Sequence, residues 1–439
     1  MVSHGEDPTR TCALPAEIAD NIIDHLYDDH ATLRACALVS QAWLASCRYY
    51  LFYSTYCHLA RPGRGLSDFM QWLSTTKPDC APSYIVELFI VGDEDQDDPP
   101  EAAVQDLLLA LPRLTCLRRL SLRGVTLSSR HSLGEVHLSA SVRSLDDLVI
   151  SRSTTKERAF EPMLDLLELF SEIGELTISL VRYRWKNPDE DQAVIRVPRP
   201  PRVRQLTLHA NEHDEHERWN GYRGTFDLYR TAHELQQLSL ALSRMASDSD
   251  SPDGFIGDLA QTLRKLNLNV TFAAIRALDE PVSPTAWTLP SLRLCTSLTE
   301  LRLSFWAMLS DDFPNSIFDT MLAANAEILR WAPQSLTTVV LQFANDGKPF
   351  DSALTDALAR MSNWGVLDDA LVSLGSEVRK PSVVCVVQVG GNDSWGDFPP
   401  YVLLRTLGVD MNSQGGYMGL LKKMLPRTHT TGRLDFAVL

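Results

Sequence analysis

Residues 117–122 read Leu-Arg-Arg-Leu-Ser-Leu, and this L-x-x-L-x-L pattern recurs along most of the chain. Its middle apolar residue falls at positions 88, 120, 148, 176, 206, 238, 266, 301 and 339. A single copy means little, because leucine is a common residue. Nine copies at near-regular spacing indicate a chain of repeated structural units.

Each copy predicts a short strand whose alternate side chains point inward. Such a unit buries its apolar face only against its neighbours, so the units stack into a curved parallel sheet. This spacing is typical of a leucine-rich repeat solenoid, with outer helices expected at 102–111, 160–170 and 317–326. The asparagine that usually follows the strand in these repeats occurs once, at Asn211, which predicts irregular repeats.

A different pattern occupies residues 14–52, where three short helices are expected. Ile18, Ile22 and Leu26 recur at helical spacing and give the first helix an apolar face. Residues 28–30 are expected to cap the second helix, which ends near Val39, and residue 40 to cap the third. About forty residues cannot bury this much apolar surface among themselves, so the remaining face must meet the rest of the chain or another protein.

The residues of this stretch resemble the F-box. The resemblance rests on the opening Leu-Pro-x-Glu-Ile at 14–18, on the apolar spacing that follows, and on Val39-x-x-x-Trp43. The acidic turn and residues 33–39 are similar to the form found in large basidiomycete (fungal) F-box families, many of which carry leucine-rich-repeat-like regions after the F-box. The resemblance implies that the segment binds a Skp-type adaptor and thereby recruits its carrier to a cullin-containing SCF ubiquitin ligase. The residues implied to form or support the adaptor-binding face are Leu14, Pro15, Ile18, Ile22, Leu26, Leu33, Val39 and Trp43.

The expected fold class is α/β: a three-helix F-box, then an irregular leucine-rich-repeat solenoid with a curved parallel sheet, then a C-terminal α/β cap. The predicted segments are a flexible N-terminus at 1–12, the F-box at 13–55, a connector at 56–83, the solenoid at 84–349 and terminal repeats with the cap at 350–439. In the cap, strands are expected near 383–389 and 434–438 and helices near 351–361, 367–378 and 415–425. A second interpretation makes the opening helices a simple cap on the solenoid.

Composition excludes several function classes. A net charge of −15 argues against a nucleic-acid partner and against binding to an anionic membrane surface. The first residues lack the apolar core of a signal peptide, and no apolar run is long enough to span a membrane. The eight cysteines are scattered without a C-x-x-C pair, which predicts reduced thiols in the cytoplasm or the nucleus.

One cluster has a composition suited to metal binding. His209, His213 and His216 lie among carboxylates, and imidazoles at such spacing can share a metal on a helix. The stretch is instead typical of a hydrophilic loop and has no fixed fourth ligand, so a metal-dependent hydrolase is a remote alternative. No nucleotide-binding or hydrolase motif occurs. We therefore predict a non-catalytic subunit without metal or cofactor.

The residues beside the strand leucines are expected to line the concave surface. From residue 121 onward they are mostly small and polar, with two arginines and no aromatic anchor of the kind that dominates tight interfaces. The candidate target-binding residues are Arg123, His209, Trp219, Tyr222, Arg223 and Arg302. The predicted function is a target-recruiting subunit of an SCF-type ligase, and the alternative is a leucine-rich-repeat scaffold without a ligase role.

Overall fold

The computed structural model of the chain describes residues 14–61, 63–77, 81–92, 99–129, 143–156, 160–179, 181, 200–209, 225–226, 228–229, 234–242, 252–271, 274, 287–307, 315–345, 362–374, 380–388 and 414–438. The predicted flexible N-terminus at 1–12 and the predicted helix at 351–361 lie outside these residues.

One long parallel sheet runs through the described part of the chain. Its strands are β1 (Ser54–His58), β2 (Glu87–Val91), β4 (Arg119–Arg123), β6 (Arg143–Ser151), β8 (Phe170–Ser179), β9 (Arg202–His209), β10 (Gln237–Ala241), β11 (Lys265–Asn269), β12 (Glu300–Ala307), β13 (Thr338–Asn345), β14 (Ser382–Gln388) and β15 (Leu434–Val438). Each strand pairs in parallel with the next in this order. A smaller parallel sheet contains β3 (Glu101–Ala103), β5 (Thr126–Ser128) and β7 (Thr154–Thr155).

Helices connect the strands. They are α1 (Ala16–Asp24), α2 (His30–Val39), α3 (Leu44–Tyr53), α4 (Leu66–Thr75), α5 (Val104–Ala110), α6 (Glu161–Leu167), α7 (Pro252–Asp258), α8 (Asn315–Arg330), α9 (Trp364–Ser373), α10 (Gln414–Met424) and α11 (Pro426–Thr430). Short 3₁₀ helices occur at Ala81–Tyr84, Leu111–Arg113 and Pro290–Leu294. The predicted outer helices correspond to α5, α6 and α8, except that residues 101–103 form β3.

The sheet confirms the repeat pattern. The last two apolar residues of all nine copies lie in strands of the main sheet, and the middle residues are partners across the sheet, as Leu88 is of Leu120 and Leu120 of Leu148. These apolar residues are buried in one continuous core. The predicted leucine-rich-repeat-like architecture is therefore present in this chain.

The sheet extends beyond the predicted solenoid at both ends. β1 lies at the junction of the predicted F-box and connector and pairs with β2, while β14 and β15 continue the sheet through the predicted cap. β1 reads Ser-Thr-Tyr-Cys-His, so its inward positions hold Thr55 and Cys57 instead of leucine. The leucine pattern could not reveal a strand built in this way.

The backbones of successive repeats touch where the chain leaves the strands. The Gly92 amide donates to the Arg123 carbonyl oxygen at 2.8 Å, and the Gly124 amide donates to the Ser151 carbonyl oxygen at 3.0 Å. A Cβ atom on Gly92 would lie 1.7 Å from the Gly124 carbonyl oxygen. Only glycine fits at position 92 without displacing the next repeat.

Aspartates join successive outer segments in the C-terminal half. Each aspartate lies on a helix, and its carboxylate accepts backbone N–H and side-chain hydroxyl groups at the start of the next outer segment, with distances of 2.6 to 3.0 Å. The bonded groups are Asp253 with Ser291, Asp319 with Ser362 and Asn363, and Asp368 with Arg427 and Thr428. These bonds satisfy backbone donors that a helix start leaves without partners.

Candidate docking surfaces

The three N-terminal helices have a small core of their own. Ile23, Leu33 and Cys47 are buried together, separately from the core of the sheet. Hydrogen bonds from the Ser46 hydroxyl to Asp20 at 2.5 Å and from the Tyr50 hydroxyl to Asp24 at 2.8 Å tie α3 to α1. These contacts give the unit a defined shape despite its size.

Local sequence sets the helix bounds in this unit. Asp29 is the N-cap of α2, where its carboxylate accepts the Thr32 amide at 3.0 Å and the Thr32 hydroxyl at 2.5 Å. Both bonds favour the ionised carboxylate and hold the pKa of Asp29 below its ordinary value. α2 ends at Val39, and the Ser40 hydroxyl accepts the Ala42 amide in the turn before α3. The predicted cap within residues 28–30 is confirmed, whereas the predicted cap of the third helix at residue 40 is wrong, because α3 begins at Leu44 and its N-cap residue, Trp43, makes no side-chain cap bond.

The unit leaves large apolar side chains exposed. Leu14, Ile18 and Ile22 recur at the spacing of one helical face and are 42% to 51% exposed. Leu38 and Val39, at the end of α2, are 89% and 75% exposed. We call these five residues the N-terminal apolar surface. Because contiguous exposed apolar groups often mark interaction sites, these residues are the candidate docking surface of the unit.

The eight residues that the F-box resemblance implies for adaptor binding differ in how far they are exposed to solvent. Leu14, Pro15, Ile18, Ile22 and Val39 are exposed, Leu26 and Trp43 are half-buried against the small core, and Leu33 is fully buried. Leu33 can therefore only support the surface from below. Leu38 is missing from the predicted set although it is the most exposed of all, because the apolar spacing assigns it no role.

α3 joins this unit to the sheet. It ends at Tyr53, β1 begins at the next residue, and α3 packs against the 3₁₀ helix Ala81–Tyr84. The unit thus lies at the first-strand end of the solenoid.

The face of the sheet opposite the buried leucines, which is predicted to be concave, carries columns of residues that run across the strands. Each column takes one residue from every strand. In β4, where Leu120 is the middle residue of the repeat, Arg119 belongs to the first column, Ser121 to the second and Arg123 to the third. Register places Tyr56 beside Phe89 and Phe89 beside Ser121 in the second column. Beyond these, the second column is mostly small and polar: Ser121, Val149, Thr177, Thr207, Ser239, Asn267 and Arg302.

Aromatic rings occupy the first-strand end of this surface. Tyr56 is 54% exposed and stacks on Phe89, with ring centroids 4.6 Å apart and an interplanar angle of 10°. The His58 ring stacks beside Tyr56 at 6.2 Å. We call Tyr56 and Phe89 the aromatic shelf. The prediction that the concave face has no aromatic anchor is wrong, because it began at residue 121 and overlooked β1 and β2.

Charged residues follow one another in the first column. Arg119 donates to Glu87 at 3.2 Å and to Asp147 at 2.8 and 2.9 Å, so one guanidinium serves two carboxylates. Glu175 is the partner of Asp147 in the next strand. Burial, together with the charge of Asp147, raises the pKa of Glu175.

Three of the candidate target-binding residues lie in the described part of the main sheet, in strands that are not neighbours. Arg123, His209 and Arg302 lie in β4, β9 and β12, which are separated by several strands. Burial lowers the pKa of His209 to about 4, and Arg302 donates to Glu300 at 3.2 Å and to Gln342 at 3.3 Å. The remaining candidates, Trp219, Tyr222 and Arg223, lie outside the described residues, as do His213 and His216 of the histidine cluster.

Within the described ranges, no group of three or more His, Cys, Asp or Glu side chains is arranged to hold a metal ion. No helix in this part of the chain is long and apolar enough to cross a membrane. Burial raises the pKa of the thiols of Cys57, Cys295 and Cys385 to about 12, so these cysteines stay protonated at neutral pH and are poor nucleophiles.

No protein-family model and no curated protein matches this sequence. Among solved structures, the chain is similar to the leucine-rich repeat-containing protein LegL7 from Legionella pneumophila, at 13% sequence identity and a TM-score of 0.36. The alignment covers 82% of this chain and 99% of that chain. At this level of similarity, the repeat architecture rests on the strand order and registers of this chain itself.

Proposed function

We propose that this protein is the target-recruiting subunit of an SCF-type ubiquitin ligase. In this proposal the N-terminal helices bind a Skp-type adaptor, and the adaptor links the chain to a cullin. The repeats hold a target protein, and the chain itself catalyses nothing.

The observation that supports the proposal is the N-terminal apolar surface. The helices that carry it have their own core, and its five side chains remain exposed at the outer end of the solenoid. Leu14, just before α1, and Ile18 and Ile22 on α1 recur at the spacing of one helical face, and a helix binds an apolar groove of a partner through residues at this spacing. Four of the five residues, all except Leu38, belong to the F-box resemblance, which supports a Skp-type adaptor as the partner.

The test is capture of a purified Skp-type adaptor by the full chain. The variant Leu14→Ala with Ile18→Ala shortens two side chains that are about half exposed and belong to neither buried core, so we expect the chain to keep its fold. We expect it to weaken adaptor binding at least about tenfold, as truncation of interface anchors does.

The matched control is Leu109→Ala with Leu294→Ala, which removes two leucines of similar exposure from α5 and from the 3₁₀ helix Pro290–Leu294. This control should bind the adaptor like the unaltered chain. Equal binding by the Leu14 and Ile18 variant would remove the assignment, and so would failure of the unaltered chain to bind any Skp-type adaptor.

A leucine-rich-repeat scaffold without a ligase role is the second candidate. The packing of α3 against Ala81–Tyr84 and its direct continuation into β1 favour it, since a solenoid needs a cap at each end. This candidate predicts no adaptor binding by the unaltered chain, so the same capture experiment separates the two.

A further inference from the structure

Two cysteines lie in the small core of the N-terminal helices. Cys47 on α3 is fully buried, and Cys36 on α2 is half-buried and packs against the same core. Both thiols are free. A partly exposed thiol beside a second thiol is the arrangement in which the first is oxidised and the second then closes a disulfide.

The turn between α2 and α3 brings these two residues to face each other. The turn comprises residues 40–43, and Cys36 stands four residues before it, as Cys47 stands four residues after it. Residues equally far from the turn of a helical hairpin lie opposite each other. Leu33 and Tyr50, each three residues further out, belong to the same core, so the helices stay in contact along this face. Burial, together with the neighbouring Cys36 thiol, raises the pKa of Cys47.

Helix geometry allows a disulfide between the two cysteines. Packed helices have axes about 8–10 Å apart, and each Cα atom lies about 2.3 Å from its axis. Facing Cα atoms therefore come within about 4–7 Å of each other, and a disulfide requires roughly 4.4–6.8 Å. Small backbone adjustments are enough to close the bond.

We propose that Cys36 and Cys47 form a reversible disulfide on exposure to peroxide and that this disulfide weakens adaptor binding. The inference rests on the proposed function, in which the N-terminal apolar surface binds the adaptor. Leu38 and Val39 of that surface follow Cys36 on α2 by two and three residues. Closing the bond replaces a contact between two sulfur atoms with a bond of about 2 Å, so the last turn of α2 is drawn toward α3 and both side chains move with it.

The reaction with hydrogen peroxide balances in two steps. The Cys36 sulfur, as its thiolate, attacks one peroxide oxygen, the O–O bond breaks, and the departing hydroxide takes up a proton to become water, which leaves Cys36 as a sulfenic acid. The Cys47 sulfur then attacks the Cys36 sulfur, the S–O bond breaks, and the hydroxide leaves with the Cys47 thiol proton as a second water. The two thiols lose two electrons and the peroxide gains them. A dithiol such as dithiothreitol returns the electrons and restores both thiols.

Mass spectrometry of the full chain tests whether the bond forms. The chain is treated with hydrogen peroxide, its remaining thiols are alkylated, and it is digested with trypsin. Trypsin cuts after Arg34 and Arg48, so both cysteines fall in one peptide, residues 35–48. We expect this peptide to carry no alkyl group and to be two hydrogen atoms lighter than its reduced form, and we expect dithiothreitol to reverse the change.

Adaptor binding tests the consequence. We expect the oxidised chain to bind a purified Skp-type adaptor about fivefold more weakly than the reduced chain, because two of the five apolar anchors are displaced. Dithiothreitol should restore the affinity. Cys36→Ala and Cys47→Ala each remove one thiol of the pair and should bind equally with and without peroxide, and if Cys47→Ala fails to fold, Cys36→Ala alone decides. The matched control is Cys116→Ala, which removes an exposed thiol elsewhere in the chain and should respond to peroxide like the unaltered chain.

The inference is overturned if no disulfide forms within residues 35–48, if the oxidised chain binds the adaptor like the reduced chain, or if Cys36→Ala loses affinity with peroxide as the unaltered chain does. The reduced chain reports separately on the proposed function. If the reduced chain binds no adaptor, the ligase role and the regulation that rests on it are both removed, whether or not the disulfide forms.

Discussion

At the scale of single residues, the close approach of neighbouring repeats decides which substitutions the chain tolerates. A methyl group at position 92 would overlap the Gly124 carbonyl oxygen, and a backbone atom cannot swing aside as a flexible side chain can. Gly92→Ala should therefore lower the free energy of unfolding by about 1–3 kcal/mol, the usual cost of forcing an extra carbon into a packed site. Urea denaturation measures this loss.

The matched control is Gly365→Ala at the start of α9, where nothing lies within 4 Å of the added carbon. In a helix, alanine is favoured over glycine by about 0.5–1 kcal/mol, so this variant should be at least as stable as the unaltered chain. Equal denaturation midpoints for the two variants would contradict the proposed contact between repeats.

Glu175 links stability to pH. Its pKa is raised in the folded chain from the ordinary 4.5, mainly by burial and further by Asp147, so keeping it ionised opposes folding. That cost is present above the raised pKa and disappears below the ordinary value, where the carboxyl is protonated in both states. Glu175→Gln should therefore be more stable than the unaltered chain at pH 7, and the difference should shrink toward pH 4. Parallel stability curves across this range would exclude the effect.

Of the two rings in the aromatic shelf, one could have been predicted from the sequence and the other could not. Phe89 stands inside a recognised L-x-L copy and could have been noted as a ring on the concave face. Tyr56 could not, because β1 has threonine and cysteine at its inward positions and only pairing with β2 identifies it as a strand. The ion network around Arg119 likewise depends on which strands are neighbours.

At the scale of helices and strands, several predicted bounds agree with the structure, whereas the helix predicted at 367–378 begins at Trp364 and ends at Ser373. The bounds of α2 follow from Asp29 and Ser40, whose side chains bond backbone amides two or three residues away. β15 occupies the residues predicted for it, 434–438, and α10 differs from its prediction by one residue at each end. The aspartate contacts between outer segments were not predictable, since their partners stand 38 to 60 residues apart.

Asp368 offers the clearest test of those contacts. Its buried carboxylate accepts the amides of Arg427 and Thr428 at 2.9 Å and the Thr428 hydroxyl at 2.6 Å, which fixes α11 against α9. Asp368→Ala should cost about 3 kcal/mol of unfolding free energy, because buried donors lose their acceptor at about 1–3 kcal/mol each.

The control for this variant is the next residue. Asp369→Ala removes a solvent-exposed ion pair with Arg427, which should change stability by less than about 1 kcal/mol. Both variants are compared by urea denaturation. A larger loss from Asp369→Ala than from Asp368→Ala would contradict the assigned role of the buried carboxylate.

At the scale of the whole molecule, the repeat period predicted the parallel solenoid but not how far its sheet extends along the chain. Each unit buries its leucines against its neighbours, so nine copies at near-regular spacing sufficed to predict a parallel solenoid. The predicted boundaries at 84 and 350 follow where the leucine pattern starts and stops, whereas the sheet continues wherever a strand can pair. β1 therefore brings the solenoid directly up to the N-terminal helices.

The central claim is that another protein covers the N-terminal apolar surface. Isothermal titration calorimetry of the full chain with a purified Skp-type adaptor, repeated at several temperatures, tests it most directly. Burial of apolar side chains gives a negative heat-capacity change on binding. We predict a one-to-one complex with a negative heat-capacity change, and a change of smaller magnitude for the Leu14→Ala, Ile18→Ala variant. The claim would be contradicted if the unaltered chain did not bind the adaptor, or if the variant bound with the same heat-capacity change as the unaltered chain.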